Sequence, residues 1–352
     1  MSAWYASREQ VKRGAVIEGT EHHTVIDRLI ESASRNIDAD THTRFIPLTD
    51  TRYLPWSSRN LRGSRLYFDA DLWSLTSLTD QGTTARTLTA NTHFILQPDN
   101  DGPPYHWAEI LTSQALTFES GSTTPQRSFT IIGQWARYSA TKAASQLNGA
   151  ISTTSATTLA VDDGSAIDVG DTLLIGSEAL FVTERSETDI GQNTSAALNA
   201  DDTDTTVTLG GAPTIPLVAG EIIRIDSERM RVEAVNSSTS VVVERAWDGT
   251  NLATHANPSD IYVSRSFTVE RGVNGTTAAT ALDNAAVSKY QVPGGINELC
   301  IAEVIAALQQ ERAGWGRTVG TGERQVELSG RALADLRRRT LGQYRRRMMV
   351  SI

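Results

Sequence analysis

The sequence holds a single cysteine, Cys300, which excludes a disulfide framework and a multi-thiolate zinc site. No apolar run approaches the roughly 18 residues needed to span a bilayer. The opening stretch, MSAWYASREQVKRG, has no apolar h-region of a secretory signal. A soluble protein of a reducing compartment is expected. The histidines are few and scattered (His22, His23, His42, His93, His106, His255), and none has the His-x-x-x-His spacing of a zinc helix. His23 and Asp27 lie four apart on one helix and could hold a metal, but a solvated polar face is the expectation. Asp201-Asp202-Thr203-Asp204 lacks the glycine and distal Glu of a calcium loop and reads as an acidic turn. The glycine-rich stretch Gly314–Gly322 has no Gly-Lys-Ser/Thr ending to cradle phosphate and reads as a connector. Cys300 falls on an apolar helical stripe, where a buried structural thiol is expected in place of a nucleophile. Nothing reads as an active site, so the expectation is a non-enzyme with no cofactor and no metal.

What is present suffices for a packed fold. At 352 residues the chain has room for about two or three domains. Its hydrophobic share of 39%, with 26 glycines besides, is ordinary for a globular protein. The net charge of −9 is unevenly spread. Residues 331–352 carry seven arginines against Asp335 alone, whereas residues 141–290 carry nine basic and twenty acidic side chains. An acidic middle and a basic tail suggest a polarised particle whose ends meet different partners.

Three textures follow one another. Ser7 and Gln10 have capping-box spacing, and Thr24 with Asp27 repeats it. Val25, Ile26, Leu29, Ile30, Ala33 and Ile37 recur at helical spacing and predict an amphipathic helix over about His22–Ile37. From Arg65 short β-like runs follow (66–69, 93–96, 128–132), separated by turn material such as Asp99–Pro104. The middle is rich in Thr, Ser, Asp, Gly and Val. After Pro293-Gly294-Gly295, Ile296, Leu299, Cys300, Val304, Ala307 and Leu308 form an apolar stripe, and Gly314-Trp315-Gly316 ends that helix.

The middle contains a repeat. Val169-Gly170-Asp171 through Glu178 matches Val218-Ala219-Gly220-Glu221 through Glu228, with Gly170 and Gly220 offset by 50. Val243-Glu244-Arg245-Ala246-Trp247-Asp248-Gly249-Thr250 matches Val269-Glu270-Arg271-Gly272-Val273-Asn274-Gly275-Thr276 at an offset of 26. Tandem copies would keep one offset; two offsets follow if one copy sits inside the other. The expected division is a discontinuous domain of 1–140 and 291–352, an outer inserted β domain of 141–187 and 266–290, and an inner one of 188–265. Insertion at a turn with close ends leaves the host core undisturbed. Three degenerate β units in a row are the alternative.

The last helix is predicted over about Ser329–Met348, with Leu333, Leu336, Thr340, Leu341 and Tyr344 on its buried side. Arg337-Arg338-Arg339 and Arg345-Arg346-Arg347 are eight residues apart, so each triplet spans both sides of the helix. Guanidinium groups suit carboxylates and phosphates alike, so nucleic acid and an acidic protein surface are both compatible ligands.

Several stretches carry a family resemblance: Val25–Asp38, Arg44-Phe45-Ile46-Pro47, Thr51-Arg52-Tyr53, Leu72–Leu78, Gly102-Pro103-Pro104-Tyr105, Ile131–Trp135, and the Val292-Pro293 step into a helix. In this order they resemble the head-tail connector (adaptor) proteins of tailed bacteriophages, which sit beneath the portal. The resemblance covers about 1–140 and 291–352 and leaves the middle as an insertion. VERGVNGTTA itself looks like small β modules of phage structural proteins. The resemblance implies an α+β fold, with a small helical adaptor core carrying short β-strands. To this an inserted all-β region of two nested small barrel-like domains would be added. It also implies a non-enzymatic virion protein of the head-tail neck, assembled in the bacterial host cytoplasm as a ring, typically of 12 copies, that extends the DNA channel. The implied partners are the portal protein, a tail-side stopper or tail-terminator protein, and further copies of the chain. DNA enters only as channel content, and the insertion could brace the capsid vertex. The family's portal-engaging role would fall on Arg331, Arg337, Arg338, Arg339, Tyr344, Arg345, Arg346 and Arg347. Two other classes stay open: a β-module adhesin or decoration protein of the neck, and a DNA-binding packaging factor using the basic tail. The adhesin predicts aromatic platforms, yet the middle offers only Phe181, Trp247, Tyr262, Phe267 and Tyr290.

Overall fold

The structure is a computed structural model describing residues 3–81, 85–120, 124–312, 318–319, 326–327 and 331–346. Helix α1 (Arg8–Ala15) opens on the capping box expected from its spacing: Gln10 N–H donates to the Ser7 hydroxyl, and Ser7 N–H donates to the Gln10 side chain. Helix α2 (His23–Thr41) continues past Ile37 and ends at His42 in the left-handed region. Thr24 does not cap it. His22 takes that place without a side-chain bond, and Asp27 is engaged instead by the Arg8 guanidinium at 2.6 and 2.9 Å.

Seven antiparallel strands follow: β1 (Leu48–Leu54), β2 (Leu61–Arg62), β3 (Arg65–Gln81), β4 (Ala85–Leu88), β5 (Phe94–Gln97), β6 (Tyr105–Ile110) and β7 (Phe129–Trp135). Their order is β1-β7-β3-β6-β5, with β2 and β4 also paired to β3. Leu66, Phe68, Leu72, Leu78, Phe94, Phe129 and Trp135 form the core of this sheet.

The middle adds β8 (Ala140–Gln146), β9 (Thr158–Ala160), β10 (Thr172–Ile175), β11 (Glu178–Asn193), β12 (Thr206–Thr208), β13 (Ile222–Ile225), β14 (Glu228–Ser237), β15 (Ser240–Trp247), β16 (Asp260–Glu270) and β17 (Ala286–Gln291). All ten join one antiparallel sheet, in the order β12-β15-β14-β13-β16-β11-β10-β17-β8, with β9 on β16. Helices α3 (Gly294–Arg312) and α4 (Arg331–Tyr344) follow, with a short strand pair, β18 (Thr318–Val319) and β19 (Val326–Glu327), between them. The expected break at Gly314-Trp315-Gly316 lies outside the described residues.

This architecture corrects the expected fold class. The chain is mostly β, built on two large antiparallel sheets with four α-helices among the described residues, and is not a small helical core with short strands. Strand β3 alone is 17 residues long. Its length is hidden because register shifts at Tyr67/Leu72, Leu72/Ser74 and Leu75/Ser77 break the two-residue alternation. The strands of the middle are joined into one continuous sheet. Strands β11 and β16 pair from Phe181↔Glu270 to Asn193↔Asp260, so both copies of the repeat share one sheet.

Two apolar clusters lie along that sheet. One gathers Leu147, Val161, Leu173, Leu180, Phe267 and Val287; the other gathers Val207, Ile223, Met230, Val232, Val243 and Val263. The repeat sets the same polar hardware in each. In one copy Arg271 pairs with Glu178 (2.7 and 2.7 Å), and Glu178 accepts from the N–H groups of Gly272 and Ala279. In the other Arg245 pairs with Glu228 (2.7 and 2.8 Å), and Glu228 accepts from Ala246 and Ala253 N–H. Each arginine also donates to three backbone carbonyls, so both buried charges are satisfied.

The four helices share one core. Ile26, Ile30 and Ile37 of α2 pack with Ile296, Leu299, Val304 and Leu308 of α3, and Leu333, Leu336, Leu341 and Tyr344 of α4 close over them. Each buried aliphatic side chain there contributes about 1.5–3 kcal/mol. Cys300 is fully buried 3.7 Å from the Ser34 hydroxyl, and burial pushes its thiol pKa up to about 12.

Candidate interaction surface

Among the described residues there is no group of three or more His, Cys, Asp or Glu side chains that could hold a metal, and no helix is long and apolar enough to cross a membrane. His23 and Asp27 do not converge on a cation site. His23 lies between two cations, with Arg8 at 3.4 Å and Lys12 at 3.2 Å. Burial, then Arg8 and Lys12, push its pKa below the usual histidine value. Asp201 accepts from Thr203 N–H and Asp204 from Asn199 N–H, so this acidic stretch caps its own turn.

The arginines of α4 and of the two residues that follow it divide into anchors and free cations. Arg337 bridges α2 and α3 through Asp40 and Glu303. Arg346 turns back onto the first sheet: its guanidinium bonds the carbonyl oxygens of Phe68 (2.9 Å) and Asp69 and lies 3.1 Å from the Asp71 carboxylate. Tyr344 packs edge-on against Phe45, with ring centroids 5.5 Å apart, so it belongs to the core. Arg338 is exposed with only Asp335 of its own helix at 3.3 Å. Arg339 and Arg345 are exposed and make no ion pair among the described residues. The Arg331 side chain and all of Arg347 lie outside the described residues. Thr340, expected on the buried side, is buried.

Asp71 is the hub that fixes the end of α4, and no motif or spacing in the sequence marks it. Its carboxylate is closed to solvent and gathers Thr43 (3.0 Å), Arg137 (3.3 Å), Arg346 (3.1 Å) and His106 (3.4 Å). Burial alone would raise its pKa; the His106 bond and the Arg346 and Arg137 charges outweigh it and hold the group below the usual carboxylate range.

A second polar junction was equally hidden. Helix α1 rests on the inserted sheet with two buried cations. Arg8 reaches Asp27 and Glu184, Lys12 meets Asp248, and Arg8 N–H donates to the Val169 carbonyl at 3.0 Å. Alongside, Trp4 packs edge-on against Phe181 at 5.1 Å, over Gly170, where a Cβ would stand 2.4 Å from the indole. Gly170 has φ +98, a conformation that favours glycine in any case.

No family model, curated protein or solved structure matches this chain.

Proposed function

We propose that the chain is a non-enzymatic structural subunit of a tailed-bacteriophage particle. It acts as a head-to-tail adaptor that assembles as a ring, typically of 12 copies, beneath the portal, extends the DNA channel and offers a docking surface to the tail. The observation that carries this reading is the joint helical core. Segments separated by the whole inserted sheet, α1–α2 and α3–α4, bury one set of side chains, as an adaptor body interrupted by an insertion requires. The accompanying seven-stranded sheet is larger than the resemblance implies.

The exposed arginines support the same reading. The helix is held by its apolar side, by Arg337 and by Arg346, which leaves Arg338, Arg339 and Arg345 facing outward. Such rim charges govern docking orientation and rate more than affinity. The portal protein is the partner assigned to them, and a stopper or tail-terminator protein the partner on the tail side. The test is to join to portal rings the chain that carries Arg338→Glu, Arg339→Glu and Arg345→Glu together. Loss of joining with an unchanged thermal melt is expected; tailed particles at normal yield would contradict the assignment.

A further inference from the structure

We infer that the groove between the end of α4 and the outer face of the first sheet is a binding site for an extended acidic peptide segment of a partner protein. The inference deepens the docking role given to α4 above and rests on that reading. Its test uses an isolated peptide, so its failure is separable from failure of ring assembly.

The groove is a cavity of about 680 Å³. Its floor comes from β3 and β6. Tyr67 and Trp107 are register partners there, on the face opposite the buried Leu66, Phe68 and Ala108, with rings 5.6 Å apart. Arg345 and Arg346 line it from the two residues that follow α4, and Arg59 lines it from the β1–β2 connection. Arg346 is committed to the sheet through the Phe68 and Asp69 carbonyls and Asp71. Arg59 and Arg345 are exposed and have no ionic partner among the described residues. The Trp107 indole N–H is closed to solvent and has no acceptor among the described residues. A cavity of this kind, with two uncommitted guanidinium groups and an aromatic floor, fits a ligand that brings oxygen acceptors and flat or apolar groups together.

Charge decides between the two polymers with that chemistry. A nucleic acid brings a negative charge with every nucleotide and is held by many phosphate contacts at once. Here two cations are uncommitted, Asp69 lines the same groove, and the chain as a whole carries −9. A peptide with a few carboxylates matches the two guanidinium groups without bringing excess charge against Asp69. Its aromatic or apolar side chains can cover Tyr67 and Trp107.

The experiment is fluorescence anisotropy of the full chain with a labelled Tyr-Glu-Glu-Tyr-Glu-Glu peptide. The Gln-for-Glu peptide and an oligothymidylate of equal length serve as comparison probes. Arg59→Glu and Arg345→Glu break no ion pair among the described residues, and Trp107→Phe replaces the indole of the floor by a smaller aromatic ring without the N–H. The acidic peptide is expected to bind more tightly than either comparison probe. Arg59→Glu and Arg345→Glu should each weaken it about ten-fold or more, the loss of one charge-assisted hydrogen bond. Trp107→Phe should weaken it by a smaller factor with an unchanged melt. Absence of peptide binding, equal binding of the Gln peptide, tighter binding of oligothymidylate, or indifference to both arginine changes would each overturn the proposal.

Discussion

Arg245 closes on Glu228 in a two-point ion pair, Nε to Oε1 at 2.7 Å and Nη2 to Oε2 at 2.8 Å, with the two side chains 2% and 0% exposed. His255 adds a third contact to the same carboxylate at 2.8 Å and touches Asp226 with its other ring nitrogen. The equivalent pair, Arg271 with Glu178, has no histidine beside it, since Ala281 stands 26 residues beyond His255.

Breaking such a pair from one side leaves an uncompensated buried charge. Glu228→Gln should therefore cost about 3 kcal/mol or more, and Glu178→Gln a comparable amount. Urea unfolding of each variant measures this. Losses near zero would show that the pairs are not what holds the repeated turns.

Acid should act through the same group. Burial opposes ionisation of Glu228, but Arg245, His255 and two backbone N–H donors bring its pKa from 4.5 to about 2. A carboxylate depressed on folding contributes stability that is fully present above the unfolded value and lost as pH falls through the folded one. The urea midpoint should thus decline between pH 4.5 and about 2. Glu228→Gln should be less stable above that window and flatter across it.

His23 works at a higher pH and with the reverse cause. Burial, Arg8 and Lys12 lower its pKa below 6.5, so the folded state resists the proton that the unfolded chain accepts. Stability should fall as pH drops below about 6.5, and His23→Gln should remove that part of the slope. Thermal melts from neutral to mildly acidic pH provide the measurement.

Arg337 and Arg339 sit two residues apart and should behave differently. Arg337→Ala strips the partner from Glu303, whose side chain is only 10% exposed and whose pKa burial already raises. A loss of about 1–3 kcal/mol is expected there, against less than about 0.5 kcal/mol for Arg339→Ala. Equal melts for the two would contradict the division into anchors and free cations.

Removing residues 141–290 should leave a folded body, because Ala140 and Gln291 are register partners and a short turn can join them. The cost falls on α1, whose Arg8 and Lys12 lose Glu184 and Asp248. Lys12→Met in the shortened chain should recover part of the lost stability, as read by circular dichroism during melting. Loss of helical signal in both versions would show that the insertion is integral to the body.

The parts legible in the sequence were those with local causes. The Ser7–Gln10 cap, the α2 stripe, the α3 stripe and the buried side of α4 depend on neighbours within a turn or two. The offsets of 50 and 26 marked residues that meet as Glu178 with Arg271 and Glu228 with Arg245, though the pairing itself could not be read from them. The size of the sheets was not legible, because bulges in β3 and β11 reverse the inward face within a single strand. The tail triplets read as one uniform charged run. Only tertiary contacts separate Arg346, bound to Asp71, from Arg345, bound to nothing described. Asp71, Lys12 and Asp248 had no signal at all, since their partners are distant in the chain.

The adaptor account is tested most directly by electron microscopy of the full chain assembled with portal rings. It predicts closed rings coaxial with the portal, in which α4 faces the portal and the inserted sheet stays off the channel axis. Copies without rotational closure, or rings that leave α4 far from the portal, would contradict it.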